Sequence, residues 1–230
     1  MRDLFSAGAR GLRFNAPLSD ERAEDLVEHL MRAERRSIVD LGCGRGELVR
    51  LTAATLQSAT VVGVDTDEVS IEAARQLAAD SVGADRIRFE VADAATWSGA
   101  VDGAVCVGAS HAFGGPVAMF ARLAELTPSG WAVVGDGVWE SAPSQWCLDV
   151  LGEQPVGLNG LTELAEAAGW TVVESDLSSR SEWDSFEGRW SDGVRSVGSD
   201  AALALANERE AEYRRHYRGV LGFAWLVLSR

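Results

Sequence analysis

The sequence has few cysteines and no long apolar run. Its three cysteines, Cys43, Cys106 and Cys147, are an odd number without CxxC spacing, so the pattern predicts neither a disulfide framework nor a zinc site. No stretch approaches the roughly 20 apolar residues that span a bilayer, and the N-terminus lacks the apolar core of a signal peptide. We therefore expect a soluble protein of the reducing cytoplasm.

Basic residues are also scarce relative to acidic ones. The chain holds 21 Lys and Arg against 35 Asp and Glu, which gives a formal net charge of −14. A field of this sign repels phosphate backbones and anionic lipid headgroups, so we expect neither a nucleic acid nor a membrane as partner. At 230 residues, 47% of them hydrophobic, the chain is long enough for one domain with a sizeable core.

Short β-branched runs alternate with segments of helical periodicity. Strands are predicted at 37–42, 60–65, 87–93, 101–109, 130–137, 171–175 and 221–230. Helices are predicted at 18–33, 47–57, 67–80, 116–127, 161–170 and 201–218. This alternation predicts an α/β fold, a doubly wound and mostly parallel seven-stranded sheet with helices on both faces.

The first predicted strand runs into "VDLGCGRGEL" (39–48), a glycine-rich turn that opens a helix. Glycine lets a ligand approach the backbone closely, and the amides at a helix N-terminus can bind a polar or charged group. The glycines are spaced GxGxG, and Glu47 stands where a dinucleotide-binding GxGxxG motif requires its third glycine. No Gly-Lys-Ser/Thr follows. Both NAD and a phosphate-binding P-loop are therefore disfavoured.

The turn resembles the first motif of class I S-adenosylmethionine-dependent methyltransferases, and later motifs extend the resemblance over residues 36–136. Asp65 ends the second strand, where the family's acidic residue receives both ribose hydroxyls. Asp93, in "EVADAATW", matches the acidic residue near the adenine, and 102–115 matches the fourth strand and the loop that borders the methyl group. The resemblance implies a Rossmann-like methyltransferase fold with an antiparallel last strand, and S-adenosylmethionine as cofactor.

The resemblance also implies a set of cofactor-binding residues. These are Asp40, Gly42, Cys43, Gly44, Gly46, Asp65, Thr66, Asp93, Ala94, Gly108 and Ala109. Asp40 either supports the amino group of the ligand or only braces the loop. Cys43 is a small residue that suits a tight turn. Each aspartate alone could be a strand-end cap, whereas the three motifs in order point to a cofactor site.

On the acceptor side, His111 follows the fourth strand, where the family commonly places acceptor-side groups. Imidazole has an ordinary pKa near 6.5, which suits a general base; alternatively, His111 only shapes the pocket. His29 and His216 lie in helical patterns with charged neighbours, and we expect them at the surface. The other candidate substrate-binding residues are Phe113, Trp139, Glu140 and Trp183. No metal is expected, because methyl transfer from sulfur does not require one.

We expect a single domain, with a cofactor core at 36–136 and insertions at 138–159 and 176–220 that cover the substrate side. Aromatic residues in these insertions could wall a pocket or simply hold a lid in place, and "SEWDSFEGRW" (181–190) could be an amphipathic helix. The leading hypothesis is a methyltransferase of a small-molecule acceptor, acting as a monomer or homodimer. The alternatives are a cofactor-binding protein of the same fold without transferase activity, and a methyltransferase of a macromolecule.

Overall fold

The protein forms one seven-stranded sheet, as the sequence predicts, within the residues that the computed structural model describes, 2–30 and 36–230. Its strands are β1 (Ser37–Leu41), β2 (Thr60–Asp65), β3 (Ile87–Val91), β4 (Gly103–Val107), β5 (Trp131–Trp139), β6 (Thr171–Leu177) and β7 (Leu221–Ser229). The spatial order is β3-β2-β1-β4-β5-β7-β6. Neighbours from β3 to β5 pair in parallel, whereas β7 is antiparallel to both β5 and β6. The predicted fold class is confirmed.

Helices cover both faces of this sheet. They are α1 (Arg2–Arg10), α2 (Asp20–His29), α3 (Glu47–Thr55), α4 (Glu68–Ala78), α5 (Pro116–Leu126), α6 (Gln145–Leu151), α7 (Gly157–Ala167), α8 (Arg180–Arg195) and α9 (Asp200–Glu212). Apolar residues of α2, α3 and α4 share one core cluster, and those of α5 and α7 share another on the opposite face. None of the helices within 2–30 and 36–230 is both long and apolar enough to cross a membrane.

The connectivity fixes where a ligand can bind. Strand β1 pairs with β2 on one side and with β4 on the other, so the strand order reverses at β1. In an open α/β sheet, ligands bind at the carboxyl ends of the strands next to this reversal. The turn that follows β1 is the glycine-rich turn, which therefore lies at the position expected for the site.

Several boundaries differ from the predicted ones. Helix α2 is shorter than the predicted helix, and residues 31–33 of that prediction lie outside the described residues. Strand β5 continues to Trp139, so the predicted insertion at 138–159 begins inside a strand. The predicted helix at 201–218 ends at Glu212 and continues as a π-helical turn over Tyr213–Tyr217. Helix α1 was not predicted.

The expectation that His29 lies at the surface is wrong. His29 is 6% exposed, at the end of α2, and its Nε2 lies 3.0 Å from Oε2 of Glu174 on β6. Glu28, the residue before His29, is exposed on another side of α2, so a charged neighbour in sequence does not indicate exposure. His216 is half-buried, and its ring stacks on Trp146 with centroids 4.2 Å apart.

Candidate functional site

The glycine-rich turn has the backbone that its composition predicts. Gly42, Gly44 and Gly46 have φ angles of 80°, 52° and 73°, a region that other residues rarely adopt. A side chain at Gly42 would collide with Ala109, and one at Gly46 would collide with the ring of Phe89. A Cβ at Gly44 would meet open space. The middle of the turn therefore offers accessible backbone to a ligand.

The carboxylate of Asp65 is bonded to this turn. Its Oδ2 accepts the N–H of Gly44 at 2.8 Å, and its Oδ1 accepts the N–H of Asp67 at 2.9 Å. A carboxylate has about four lone-pair positions, so it can accept two further hydrogen bonds. Asp65 is half-buried, while the next residue, Thr66, is exposed. Asp65 can thus hold the loop and still receive a pair of hydroxyl groups.

Asp40 lies beneath the turn, within β1, and is 3% exposed. Burial, together with the negative charge of Asp65 nearby, raises the pKa of Asp40 to about 7. Burial also raises the pKa of the neighbouring Cys43 thiol, with the charges of Asp40 and Asp65 adding to the effect. Cys43 is accordingly a neutral packing residue, consistent with the small-residue interpretation of its sequence position.

The loop after β3 adjoins the end of β2. The N–H of Ala92 donates to the carbonyl of Asp65 at 3.0 Å. Asp93 follows and is exposed; its Oδ1 accepts the N–H of Ala95 at 2.9 Å. Ala94 is 3% exposed and packs in the core. The fold therefore brings Asp93 and Asp65 to neighbouring strand ends, as the resemblance implies.

The loop after β4 completes this edge of the sheet. The N–H of Gly108 donates to the carbonyl of Gly135 at 2.8 Å, and Ala109 packs against Gly42. A 3₁₀ turn, Ser110–Phe113, then carries His111, which is exposed. The residues predicted around the cofactor thus lie at the carboxyl ends of four adjacent strands, β3, β2, β1 and β4.

Asp136 is a residue that the sequence analysis did not single out. It lies in β5, one residue after the partner of Gly108, and is 7% exposed. Its Oδ1 accepts the N–H of Gly137 at 2.9 Å, whereas its Oδ2 has no hydrogen-bond partner among the described residues. Burial raises the pKa of Asp136, and Ser110, Gly137 and His111 oppose this shift. The sequence pattern that could have identified Asp136 is an aspartate between two glycines in an otherwise apolar strand.

The predicted substrate-binding residues do not form one group. Trp139 and Trp183 are buried together in a cluster with Ala16, Tyr217 and Phe223. Phe113, by contrast, packs against the core cluster that contains α5 and α7. Glu140 is exposed next to the end of β5.

The indole N–H groups of Trp139 and Trp183 are buried without a hydrogen-bond partner among the described residues. The N-terminal segment lies next to the loop after β4, because a side chain at Gly108 would lie 3.6 Å from the carbonyl oxygen of Asn15.

Comparisons with known proteins agree on the class of domain. Residues 38–130 match the family model of a methyltransferase domain. A trans-aconitate 2-methyltransferase of Methylobacterium radiotolerans is 39% identical over 82 residues, which is 34% of this chain and 29% of that protein. One of Streptomyces avermitilis is 33% identical over 85 residues, 35% of this chain and 32% of that protein. The matched segment thus spans about a third of these curated relatives.

Solved structures match over nearly the whole chain. The protein YjhP of E. coli has a TM-score of 0.83 and 24% identity, with 99% of each chain covered. An S-adenosylmethionine-dependent methyltransferase of Thiobacillus denitrificans, solved with S-adenosyl-L-homocysteine, has a TM-score of 0.78 and 25% identity, with 98% of each chain covered. Together with the glycine turn, these similarities show that residues 38–130 form a methyltransferase domain and that the chain has the fold of the class I S-adenosylmethionine-dependent methyltransferases.

Proposed function

We propose that this protein transfers a methyl group from S-adenosylmethionine to a small-molecule acceptor. The observation that carries the proposal is the bond between Asp65 and the N–H of Gly44. It joins the acidic residue at the end of β2 to the most accessible glycine of the turn after β1. A ligand that carries a vicinal diol next to a polar chain matches these two groups.

The residues present fit this cofactor. The open space at Gly44 admits the methionine portion to the backbone of the turn, and Asp65 retains lone pairs for the ribose hydroxyls. Asp93, at the neighbouring strand end, would accept a hydrogen bond from the adenine amino group. When bound, S-adenosylmethionine supplies a methyl group activated by a sulfonium sulfur. The acidic surroundings, with Asp40 and Asp65 close together, suit a positively charged ligand.

His111 is the proposed general base on the acceptor side. It is exposed on the 3₁₀ turn that follows β4, and this turn adjoins Gly108 and Ala109, where the resemblance places the methyl group. A hydroxyl or ammonium acceptor must lose a proton during methyl transfer, and a nearby imidazole can accept it. The in-line geometry of the displacement then depends on holding the acceptor against this loop.

Two observations favour a small molecule over a macromolecule. The net charge of −14 opposes binding to RNA or DNA. In addition, the curated relatives are named for a small carboxylic acid, trans-aconitate. The helices α6 and α8, the π-helical turn after α9 and the N-terminal segment contribute to the Trp139–Trp183 cluster, and we assign this part of the chain to the cover of the acceptor site.

The test combines binding with turnover. Calorimetric titration of the purified protein with S-adenosylhomocysteine should show a single site, with NADH as a control ligand that does not bind. Incubation with methyl-labelled S-adenosylmethionine and a metabolite extract should then yield a labelled small molecule. Binding without any labelled product would favour the alternative, a cofactor-binding protein without transferase activity. Failure to bind S-adenosylhomocysteine would exclude both.

A further inference from the structure

The unpartnered oxygen of Asp136 lies on the acceptor side of the candidate site. The carbonyl of Gly135, the residue before Asp136, accepts the N–H of Gly108, so Asp136 comes directly beneath the loop that carries Ser110 and His111. Asp136 lies beyond residues 38–130, the part of the chain that the methyltransferase-domain model matches.

The surroundings of Asp136 satisfy its carboxylate only in part. The polar groups that face it are the N–H of Gly137, Ser110, His111 on the loop above and the thiol of Cys106 on β4. Oδ2 is buried and accepts no hydrogen bond from the described residues. A buried carboxylate oxygen without a donor is unfavourable, and native proteins rarely keep one without a reason. This arrangement points to a donor supplied by a ligand.

The charges nearby make the class of ligand more specific. Asp136 itself takes part in no ion pair among the described residues. An acceptor carboxylate placed against Oδ2 would put two negative charges together in a poorly solvated site. A group with N–H donors would satisfy Oδ2 instead.

We propose that Asp136 binds the accepting nitrogen of an amine substrate, so that the methyl acceptor is an amine and not a polycarboxylate such as trans-aconitate. The inference rests on the proposed function and names the substrate class of the same site. In the reaction, the lone pair of a neutral amine nitrogen forms the new N–C bond. The bond between the methyl carbon and sulfur breaks, and its electron pair stays on sulfur. The excess N–H proton leaves to His111.

This placement also gives Asp136 a role in the rate. Positive charge moves from sulfur to nitrogen as the methyl group is transferred, and a carboxylate hydrogen-bonded to that nitrogen stabilises the charge as it develops. Asp136→Asn keeps the size and the hydrogen-bonding oxygen but removes the negative charge. We therefore expect it to lower kcat for the amine acceptor and not only to raise its KM.

The experiment uses the full chain with S-adenosylhomocysteine bound. Benzylamine, tyramine, histamine and ethanolamine are titrated into this complex, with trans-aconitate as the carboxylate probe, and each is assayed for labelling by methyl-labelled S-adenosylmethionine. We expect at least one amine to bind and to be methylated, and trans-aconitate to do neither. Asp136→Asn should reduce kcat/KM for that amine at least tenfold and leave the affinity for S-adenosylhomocysteine within twofold. Asp80→Asn, an exposed change at the end of α4, should alter neither.

The outcomes separate the two proposals. If S-adenosylhomocysteine does not bind the wild-type protein, the proposed function itself fails. If it binds but no amine binds or is labelled, or if trans-aconitate is the methylated probe, the amine inference is wrong and the proposed function stands. A labelled amine whose kcat/KM is the same in Asp136→Asn and Asp80→Asn would likewise overturn the role of Asp136. Unchanged binding of S-adenosylhomocysteine shows that each variant has folded.

Discussion

The side chain of Asp65 accepts the backbone N–H of Gly44 at 2.8 Å, so the end of β2 holds the glycine turn that follows β1. Its other oxygen accepts the N–H of Asp67 at the start of α4. One carboxylate thereby fixes two loops that emerge from adjacent parallel strands. The same carboxylate is the proposed ligand of the ribose hydroxyls, so organisation of the loop and recognition of the cofactor depend on the same atoms.

Replacing Asp65 with alanine should therefore weaken cofactor binding strongly. If Asp65 binds the ribose as proposed, the variant loses two charge-assisted hydrogen bonds, worth about 2 to 4 kcal/mol of binding free energy, and also the bond that holds Gly44. Calorimetric titration with S-adenosylhomocysteine measures the change, with Asp80→Ala as the control on an exposed aspartate. Equal affinities in the two variants would mean that the ribose is bound elsewhere.

Asp40 should make the protein less stable as the pH rises. Its pKa in the folded protein is about 7, against an ordinary value of 3.8, so between these values the folded state binds a proton that the unfolded state releases. The contribution of Asp40 to the free energy of unfolding is fully present below its ordinary pKa of 3.8 and is lost as the pH rises through about 7. Asp136 shifts in the same direction and contributes with the same sign.

Urea unfolding at pH 5 and pH 8 tests this effect in the protein without ligand. The part due to Asp40 should be about 2 to 3 kcal/mol over this range, and Asp40→Asn should remove it because the amide does not ionise. Asp80→Asn should retain the full pH dependence. A variant Asp40→Asn with unchanged pH dependence would show that Asp40 is ionised in the folded state.

The fold was predictable because its signals are local. The glycines of the turn are required by positive φ at Gly42, Gly44 and Gly46, and short β-branched runs indicate strands wherever they occur. Gly169, with a φ of 85°, follows the end of α7, which is the position that glycine commonly takes after a helix. The side chains of Trp183, Phe186 and Trp190 follow the helical period, and the alternative of an amphipathic helix for this segment is correct.

The acceptor side was less predictable because its contacts come from distant parts of the chain. Asp136 reaches the loop of Ser110 and His111 only through the parallel register of β4 and β5, in which Val107 pairs with Gly135. Burial of His29 depends on the packing of α2 against β6, with Glu174 far along the chain. No pattern of neighbouring residues carries this information.

His111→Gln should separate binding from chemistry. The variant should bind S-adenosylhomocysteine with unchanged affinity, because His111 lies on the acceptor side, and should transfer methyl groups about 10² to 10⁴ times more slowly if the imidazole removes the proton. A labelled-methyl assay at saturating acceptor measures this rate. Full activity in the variant would assign His111 only a role in shaping the pocket.

Glu182 should be important for stability because it connects the beginnings of two helices. Its Oε2 accepts the N–H of Ser179, the N-cap of α8, at 2.7 Å, and its Oε1 accepts the N–H of Ser19, the N-cap of α2, at 3.1 Å. Arg22 of α2 donates from Nε to the same Oε1 at 3.1 Å. The side chain is 9% exposed; its bonds to Ser19 and Arg22 are partly buried, whereas the bond to Ser179 is exposed.

Glu182→Ala should lower the free energy of unfolding by about 2 to 3 kcal/mol, since two capping amides and Arg22 lose their acceptor. Glu208→Ala, an exposed glutamate on α9, is the control and should change it by less than about 0.5 kcal/mol.

Burial alone would raise the pKa of Glu182, but the Ser179 amide, Arg22 and the Ser19 amide together lower it. The stabilisation by Glu182 is therefore present at pH values above its ordinary pKa of 4.5, and it is lost as the pH falls through the lower pKa of the folded state. Urea unfolding at pH 7 and at pH 3.5 should accordingly show a smaller difference in the free energy of unfolding between wild type and Glu182→Ala at the lower pH. If this difference does not shrink, packing of the side chain and not its charge holds α2 against α8.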